Sequence, residues 1–304
     1  MYKMFIVDLD DTLLDEKKKI SETDKKAIKK LRDSGILFTV FTGREYHLAK
    51  DYIEELDIDI PFVLHNGALI TNREKEIFLK KTISREDTIK IIKEAKKNDL
   101  NIFVHSNFID LPDLLTDFNL KTLTPFTPFI VSQIDRIEIV DDLIGAVEKT
   151  KGAAHIAVNG YEKNIINLIK FTQNQMYGKI EWTYTGTIED WSFHQYYWNI
   201  FPEKEKLHEM FDSELHKWGY SYLSSIGVTK GEALDYFLDK FNLKEEEVAF
   251  IGDGYNDIPL MKRVGMPIAV ANAVDDVKSV SKMTVNTNKK NGVSEAINRL
   301  FFNK

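Results

Sequence analysis

Met4-Phe5-Ile6-Val7 is a short, wholly apolar run that stops abruptly at Asp8-Leu9-Asp10-Asp11-Thr12-Leu13. An apolar run without alternation suits a parallel strand covered on both faces, and its polar end then puts three carboxylates at the carboxyl edge of a sheet. In open α/β sheets that edge is where ligands bind. Carboxylates crowded together raise one another's pKa and are costly away from water unless a cation relieves them. A hard divalent ion such as Mg2+ is the natural relief, and a solvated acidic turn is the plainer alternative.

The rest of the chain supports a sheet of this kind. Ser21 reads as a helix N-cap with Asp24 three residues on, Ala27, Ile28 and Leu31 share one face, and Gly35 stops the helix. Ile36 to Phe41 follows as a second strand; Ala49, Tyr52, Ile53 and Leu56 mark a second helix, and Phe62-Val63-Leu64 a third strand. This rhythm predicts parallel strands with right-handed crossovers. It returns at the far end, with a helix through Ala233, Leu234, Phe237, Leu238 and Phe241, strands at Val248–Ile251 and Ile268–Val270, and an amphipathic stretch through Val293, Ala296, Ile297 and Leu300. From Ser84 to Ser224 the pattern is less regular, and all four tryptophans (Trp182, Trp191, Trp198, Trp218) fall there. The expectation is an α/β protein: a Rossmann-like parallel-sheet core from 1–83 and 225–304, with 84–224 inserted as an α+β domain.

Composition narrows the partners. A chain of 304 residues, 43% hydrophobic and 29% charged, is long enough for two cores, and no apolar run reaches the roughly 18 residues needed to span a bilayer. There is no Cys, which excludes disulfides, thiolate metal sites and thiol nucleophiles. The N-terminus meets acidic residues too soon for a secretory leader, so the expected location is cytoplasmic. A net charge of −7 argues against nucleic acid as the main partner. The acidity is concentrated in 84–224, which carries 21 acidic and 15 basic side chains. The oligomeric state is not written in the sequence.

Three further segments carry chemistry. Gly252-Asp253-Gly254-Tyr255-Asn256-Asp257 follows an apolar strand, so two acidic turns would meet across one sheet edge; alone, it could be an ordinary Gly-Asp loop. In Phe41-Thr42-Gly43-Arg44 a strand ends in a hydroxyl and a Gly just before a helix, a place where backbone N–H groups can approach an anion. Val228-Thr229-Lys230-Gly231 puts a Lys at a helix start, against the macrodipole, unless it is simply a surface residue. The seven histidines (47, 65, 105, 155, 194, 208, 216) show no metal-binding spacing and read as structural or exposed.

These four motifs, in this order, resemble the haloacid dehalogenase (HAD) superfamily, and within it the Cof-type phosphatases of subfamily IIB, whose large C2 cap is inserted between the second and third motifs. The resemblance covers the two flanking segments and reaches the middle only by its position. It implies that Asp8 is the nucleophile, forming an aspartyl-phosphate, and that Asp10 is the general acid and then base. Relatives that act on carbon–halogen bonds or pump ions lack a carboxylate at the position of Asp10, so its presence implies phosphate-ester hydrolysis. The resemblance implies Mg2+ held by the Asp8 side chain, the Asp10 backbone carbonyl and Asp253, with Asp257 behind them. It places Thr42, Lys230, Asn256 and the backbone N–H groups of Leu9 and Gly43 around the phosphoryl oxygens. A small phosphorylated metabolite, such as a sugar phosphate, is the implied substrate.

One position departs from the family pattern: Asp11 stands where Gly is frequent, and Asp is among the few residues that tolerate such a turn. The aromatic segment Trp191–Trp198 would line a stacking wall in the cap or fill the cap's core. A dinucleotide site is excluded because the first strand runs into carboxylates rather than a Gly-rich turn. The rivals left open are a phosphomutase sharing the aspartyl-phosphate, and a phosphometabolite-binding protein without turnover.

Overall fold

The computed structural model describes residues 2–119, 122–187, 204–211 and 216–302. The chain divides into two units, Met1–Lys80 with Val228–Lys304, and Lys81–Gly227. In chain order the strands are β1 (Met4–Val7), β2 (Leu37–Val40), β3 (Phe62–Leu64), β4 (Leu69–Thr71) and β5 (Ile77–Lys80) in the first part. The insert holds β6 (Ile83–Ser84), β7 (Asn101–His105), β8 (Leu114–Thr116), β9 (Ile137–Ile139), β10 (Gly152–Ala153), β11 (Ile156–Tyr161), β12 (Ile180–Thr187) and β13 (Trp218–Ser225). The chain returns through β14 (Val248–Gly252), β15 (Met266–Val270) and β16 (Met283–Val285).

The first unit is built on a five-stranded parallel sheet in the order β16-β15-β14-β1-β2. All four residues of β1 and all five of β14 are buried, as runs without alternation require. Successive connections run outward from β1 to β2 on one side and from β14 to β16 on the other. The switch point therefore lies between β1 and β14, whose register pairs Val7 with Ile251 and whose ladder continues through Asp8 N–H to the Ile251 carbonyl at 3.1 Å. Ser21 caps the helix Glu22–Asp33 by accepting from the Asp24 N–H, and Gly35 leaves it at φ 85°.

The third strand differs from expectation. β3 touches the parallel sheet only through a bridge between Phe41 and Val63, and otherwise pairs antiparallel with β4, which pairs with β5. An apolar run specifies burial but not direction, and the tight turn His65–Gly67 folds the chain straight back.

The insert has its own six-stranded sheet, β12-β13-β11-β7-β8-β9, antiparallel except for β8 with β9. The helices Arg85–Lys97 and Glu162–Gln175 bury Ile91, Ile92, Ala95, Ile165 and Leu168 in its main core. Its edges lie three residues outside 84 and 224, because β6 pairs with β10 and β13 runs on to Ser225. Inside it, His105 and His155 stack with ring centroids 3.7 Å apart, and His155 meets Tyr222 edge-on. The two residues stand fifty apart in the chain, so spacing could not reveal the pair. Trp191–Trp198, including His194, lies outside the described residues.

Candidate active site

β1 delivers Asp8 in extended conformation, and the chain then turns through Leu9–Leu13. Asp11 takes φ 55°, the left-handed region in which Asp replaces Gly at modest strain. Across the switch point, β14 delivers Asp253 and the turn Tyr255–Asp257. Gly252 is required there, since a Cβ would lie 2.3 Å from the Asp257 carboxylate.

Lys230 opens the helix Lys230–Phe241, with Thr229 as N-cap accepting from the Glu232 N–H. Its side chain is wholly buried, and its Nζ lies 2.7 Å from Asp8 Oδ1 and 2.6 Å from Asp257 Oδ1. This answers why a Lys stands at a helix start: it is the counter-ion of the acidic turns. Burial works to lower its pKa, but the fields of Asp257 and Asp8 prevail and hold it above the ordinary lysine value. The other oxygen of Asp257 accepts from the backbone N–H groups of Asp253 and Gly254 at 2.8 and 3.0 Å. Asp257 is thus fully occupied in fixing Lys230 and the Asp253 loop.

One ammonium does not balance Asp8, Asp253 and Asp257, whose carboxylate oxygens lie within 4.8 Å of one another. Burial pushes the Asp8 carboxyl up to about 7, against the pull of Lys230. Asp253 too is raised well above the ordinary carboxylate range, by burial first and then by Asp257 and Asp8. Hard oxygen donors with excess negative charge in a buried site are the donor set of a Mg2+-like ion, so the residues fit one.

Asp10 faces a different environment. The Arg44 guanidinium grips both of its oxygens at 2.7 Å, and Lys18 Nζ lies 3.1 Å from one of them. Burial alone would raise its pKa, but Arg44 and Lys18 hold the carboxyl well below the usual range. Arg44 also donates to the Leu48 carbonyl and packs over Tyr52, whose hydroxyl donates to the Lys18 carbonyl. The Asp10 side chain is therefore directed at cations of the protein.

Thr42 is buried at the end of β2, next to Asp8, because Phe41 N–H continues the ladder to the Val7 carbonyl. Its hydroxyl accepts from the Arg44 N–H at 3.1 Å. Gly43 and Asn256 both lie against Asn66: Asn256 Nδ2 donates to Asn66 Oδ1 at 2.8 Å. Leu9 is buried, and its carbonyl accepts from Leu14 N–H. Four contributors to this site went unassigned in the sequence. Thr12 donates its hydroxyl to Asp253 Oδ1 at 2.6 Å, while Lys18, Arg44 and Asn66 act as described. Thr12 and Arg44 stand inside the quoted motifs, which was the available signal; Lys18 and Asn66 carried none.

The haloacid dehalogenase-like hydrolase family matches residues 5–297, and the chain belongs to it. It is similar to the 5-amino-6-(5-phospho-D-ribitylamino)uracil phosphatase YwtE of Bacillus subtilis, at 26% identity over 98% of each chain. It is also similar to the phosphatase YwpJ of the same organism, at 25% identity over 98% of this chain and 99% of that one. Among solved structures, a haloacid dehalogenase-like hydrolase from Bacteroides thetaiotaomicron superposes with a TM-score of 0.76 and 25% identity, covering 99% of this chain and 100% of the other. A subclass IIB sugar phosphatase, BT4131, shares the fold at a TM-score of 0.71 and 17% identity, over 98% of both chains. Among the described residues no helix is long and apolar enough to cross a membrane.

Proposed function

We propose that this hydrolase is a Mg2+-dependent phosphatase of small phosphorylated metabolites that works through an aspartyl-phosphate on Asp8. The observation that carries the proposal is the buried set of Asp8, Lys230, Asp257 and Asp253 at the sheet's switch point, with a second Asp two residues from the nucleophile. Asp8, the Asp10 carbonyl and Asp253 would hold the ion, which would neutralise charge on the phosphoryl group. Asp257 positions Asp253 and Lys230 from behind.

Asp8 attacks phosphorus, its oxygen forming a bond as the ester oxygen leaves with a proton from Asp10. Water then attacks the acyl phosphate, giving its proton to Asp10 and restoring the Asp8 carboxylate. Thr42, Lys230, Asn256 and the N–H groups of Leu9 and Gly43 donate to the phosphoryl oxygens throughout. The grip of Arg44 keeps Asp10 in the form that accepts a proton from water. Giving a proton to the leaving oxygen requires that this grip be released. The inserted unit, as a cap, selects the leaving group.

The test is phosphate release from a panel of hexose phosphates, pentose phosphates and 5-amino-6-(5-phospho-D-ribitylamino)uracil, with and without chelator. Release that EDTA stops, Mg2+ restores and Asp8→Asn abolishes is the expected result. Folded protein with no metal-dependent release from any member, or a hexose 1-phosphate isomerised without free phosphate, overturns the proposal.

A further inference from the structure

The turn that follows β3 is unusual in its backbone. His65, Asn66 and Gly67 all have positive φ, at 50°, 55° and 115°. Asn tolerates the left-handed region better than most residues, but two non-Gly residues in succession persist there only where the surroundings enforce it. Those surroundings are three segments of the site. His65 N–H donates to the Arg44 carbonyl at 3.0 Å and Asn66 N–H to the Thr42 carbonyl at 3.1 Å, so the turn lies along Thr42–Arg44. A Cβ on Gly67 would lie 2.3 Å from the Thr229 carbonyl oxygen, so the turn also abuts the entry to the Lys230 helix. The third segment is reached by the Asn66 side chain, whose Oδ1 accepts from Asn256 Nδ2 at 2.8 Å.

The Asn66 amide also covers Gly43: a Cβ there would stand 3.0 Å from both its oxygen and its nitrogen. Gly43 is therefore constrained by Asn66, and not only by an approaching anion. On the other side, the Asn256 Oδ1 packs against Gly254, where a Cβ would lie 2.7 Å away. The Asn256 amide is thus fixed at both ends, with oxygen toward Gly254 and nitrogen toward Asn66. The nitrogen keeps a second N–H to offer elsewhere.

We propose that Asn66 is a positioning residue for phosphoryl recognition: it takes one N–H of Asn256 so that the other faces the phosphoryl oxygens, and it seats the Thr42–Gly43 turn beside them. This rests on the phosphatase reading above. Asn66 touches neither substrate nor metal in this role, and acts through Asn256 and Gly43. The site thereby gains a donor of fixed orientation, which binds an anion without ordering a free side chain first.

The test is a double-mutant cycle of Asn66→Gly and Asn256→Ala, with Asn66→Ala made in parallel should the glycine variant not fold. KM, kcat and the inhibition constant of inorganic phosphate are measured on the Mg2+-loaded enzyme. Asn66→Gly is expected to raise KM and the phosphate inhibition constant about tenfold, the factor that one lost hydrogen bond to a charged oxygen brings. In the Asn256→Ala background the same change should cost less than about twofold, because the residue it positions is gone. A merely structural role would lower the thermal midpoint equally in both backgrounds and leave the two factors equal. Equal factors, or unchanged KM and phosphate inhibition in Asn66→Gly, overturn the inference. If the wild-type enzyme itself neither releases phosphate nor is inhibited by it, the phosphatase reading has failed, and this inference fails with it.

Discussion

Lys230→Met removes the one ammonium that faces three carboxylates while keeping a stem of similar length. In the native chain the Lys230 side chain has no exposed surface, and Asp8 and Asp257 are 8% and 0% exposed at 2.7 and 2.6 Å. Water cannot take over as counter-charge at such a place. Removing one member of a buried pair costs about 3–5 kcal/mol, because the remaining charge is stranded. Asp257 is stranded, while Asp8, whose carboxyl already stands at about 7, can take up a proton instead, which puts the loss near the lower end, about 3 kcal/mol in metal-free buffer at neutral pH. That is a large part of the whole stability of many domains, about 5–15 kcal/mol. A divalent ion offers a replacement charge: at 100 times its Kd it returns about 2.7 kcal/mol by mass action. Urea unfolding of both proteins in EDTA and in saturating Mg2+ measures each quantity. The variant should be much less stable in EDTA and partly restored by Mg2+, while phosphate release stays lost because the Lys230 donor is gone. A variant within about 1 kcal/mol of wild type in EDTA would refute the reasoning, since it would mean that the acidic cluster had never depended on the ammonium.

Thr12→Val, a change of nearly equal volume, deletes the hydroxyl that donates to Asp253 at 2.6 Å. It should raise the Mg2+ concentration for half-maximal activity about tenfold, as loss of a ligand's orienting partner does; an unchanged Mg2+ titration would count against that role. Asp24 is buried and raised above the ordinary carboxylate value by burial, although Ser21 Oγ and Ser294 N–H donate to it at 2.8 and 2.7 Å. A carboxyl whose pKa is higher folded than unfolded binds its proton more tightly in the native state. Its contribution to stability is greatest at low pH and is lost as pH rises through the folded pKa. Asp24→Asn should therefore gain on wild type in urea unfolding as pH rises above the ordinary carboxylate value of about 4, and a difference that is flat or runs the other way would refute the assignment.

What the sequence made legible, and what it hid, follows from the range over which each signal acts. Burial along β1 and β14 was readable because four or five apolar residues in a row say it locally. The acidic ends were readable because like charges in one turn demand a reason wherever they sit. The partners that satisfy those charges were not, since they come from afar: Thr12 is 241 residues from Asp253, Asn66 is 190 from Asn256, and Arg44 is 34 from Asp10. Neither periodicity nor capping reports on such distances. The direction of β3 was hidden for a related reason, because two residues that the turn places at positive φ, His65 and Asn66, carry side chains that sequence rules assign to ordinary loops.

The positive-φ residues add a physical regularity to this account. Asp11 lies in the turn after Asp8, Lys18 reaches Asp10, His65 braces Arg44, and Asn66 braces Thr42 and Asn256; each is a non-Gly residue in the left-handed region. Asp57, Asp99, Asn242 and Asn291 share that conformation, but at helix ends, and Lys75 shares it in the tight turn between β4 and β5; there the residue stops, starts or turns an element as its own neighbours dictate. At His65 and Asn66 the same conformation is held by tertiary contacts, with Arg44, Thr42 and Thr229. Strain of this kind persists only where the surroundings over-determine it, and it collects where a fold must aim a side chain. Lys18 differs: its left-handed backbone belongs to the tight local turn Asp15–Lys19 beneath the bridge between Leu14 and Ile20, and from that turn its ammonium reaches Asp10. The second Asp of the acidic turn is thus held from two directions, by Lys18 from a turn nearby in the chain and by Arg44 from beyond β2, where the strained His65 and Asn66 lie along Thr42–Arg44.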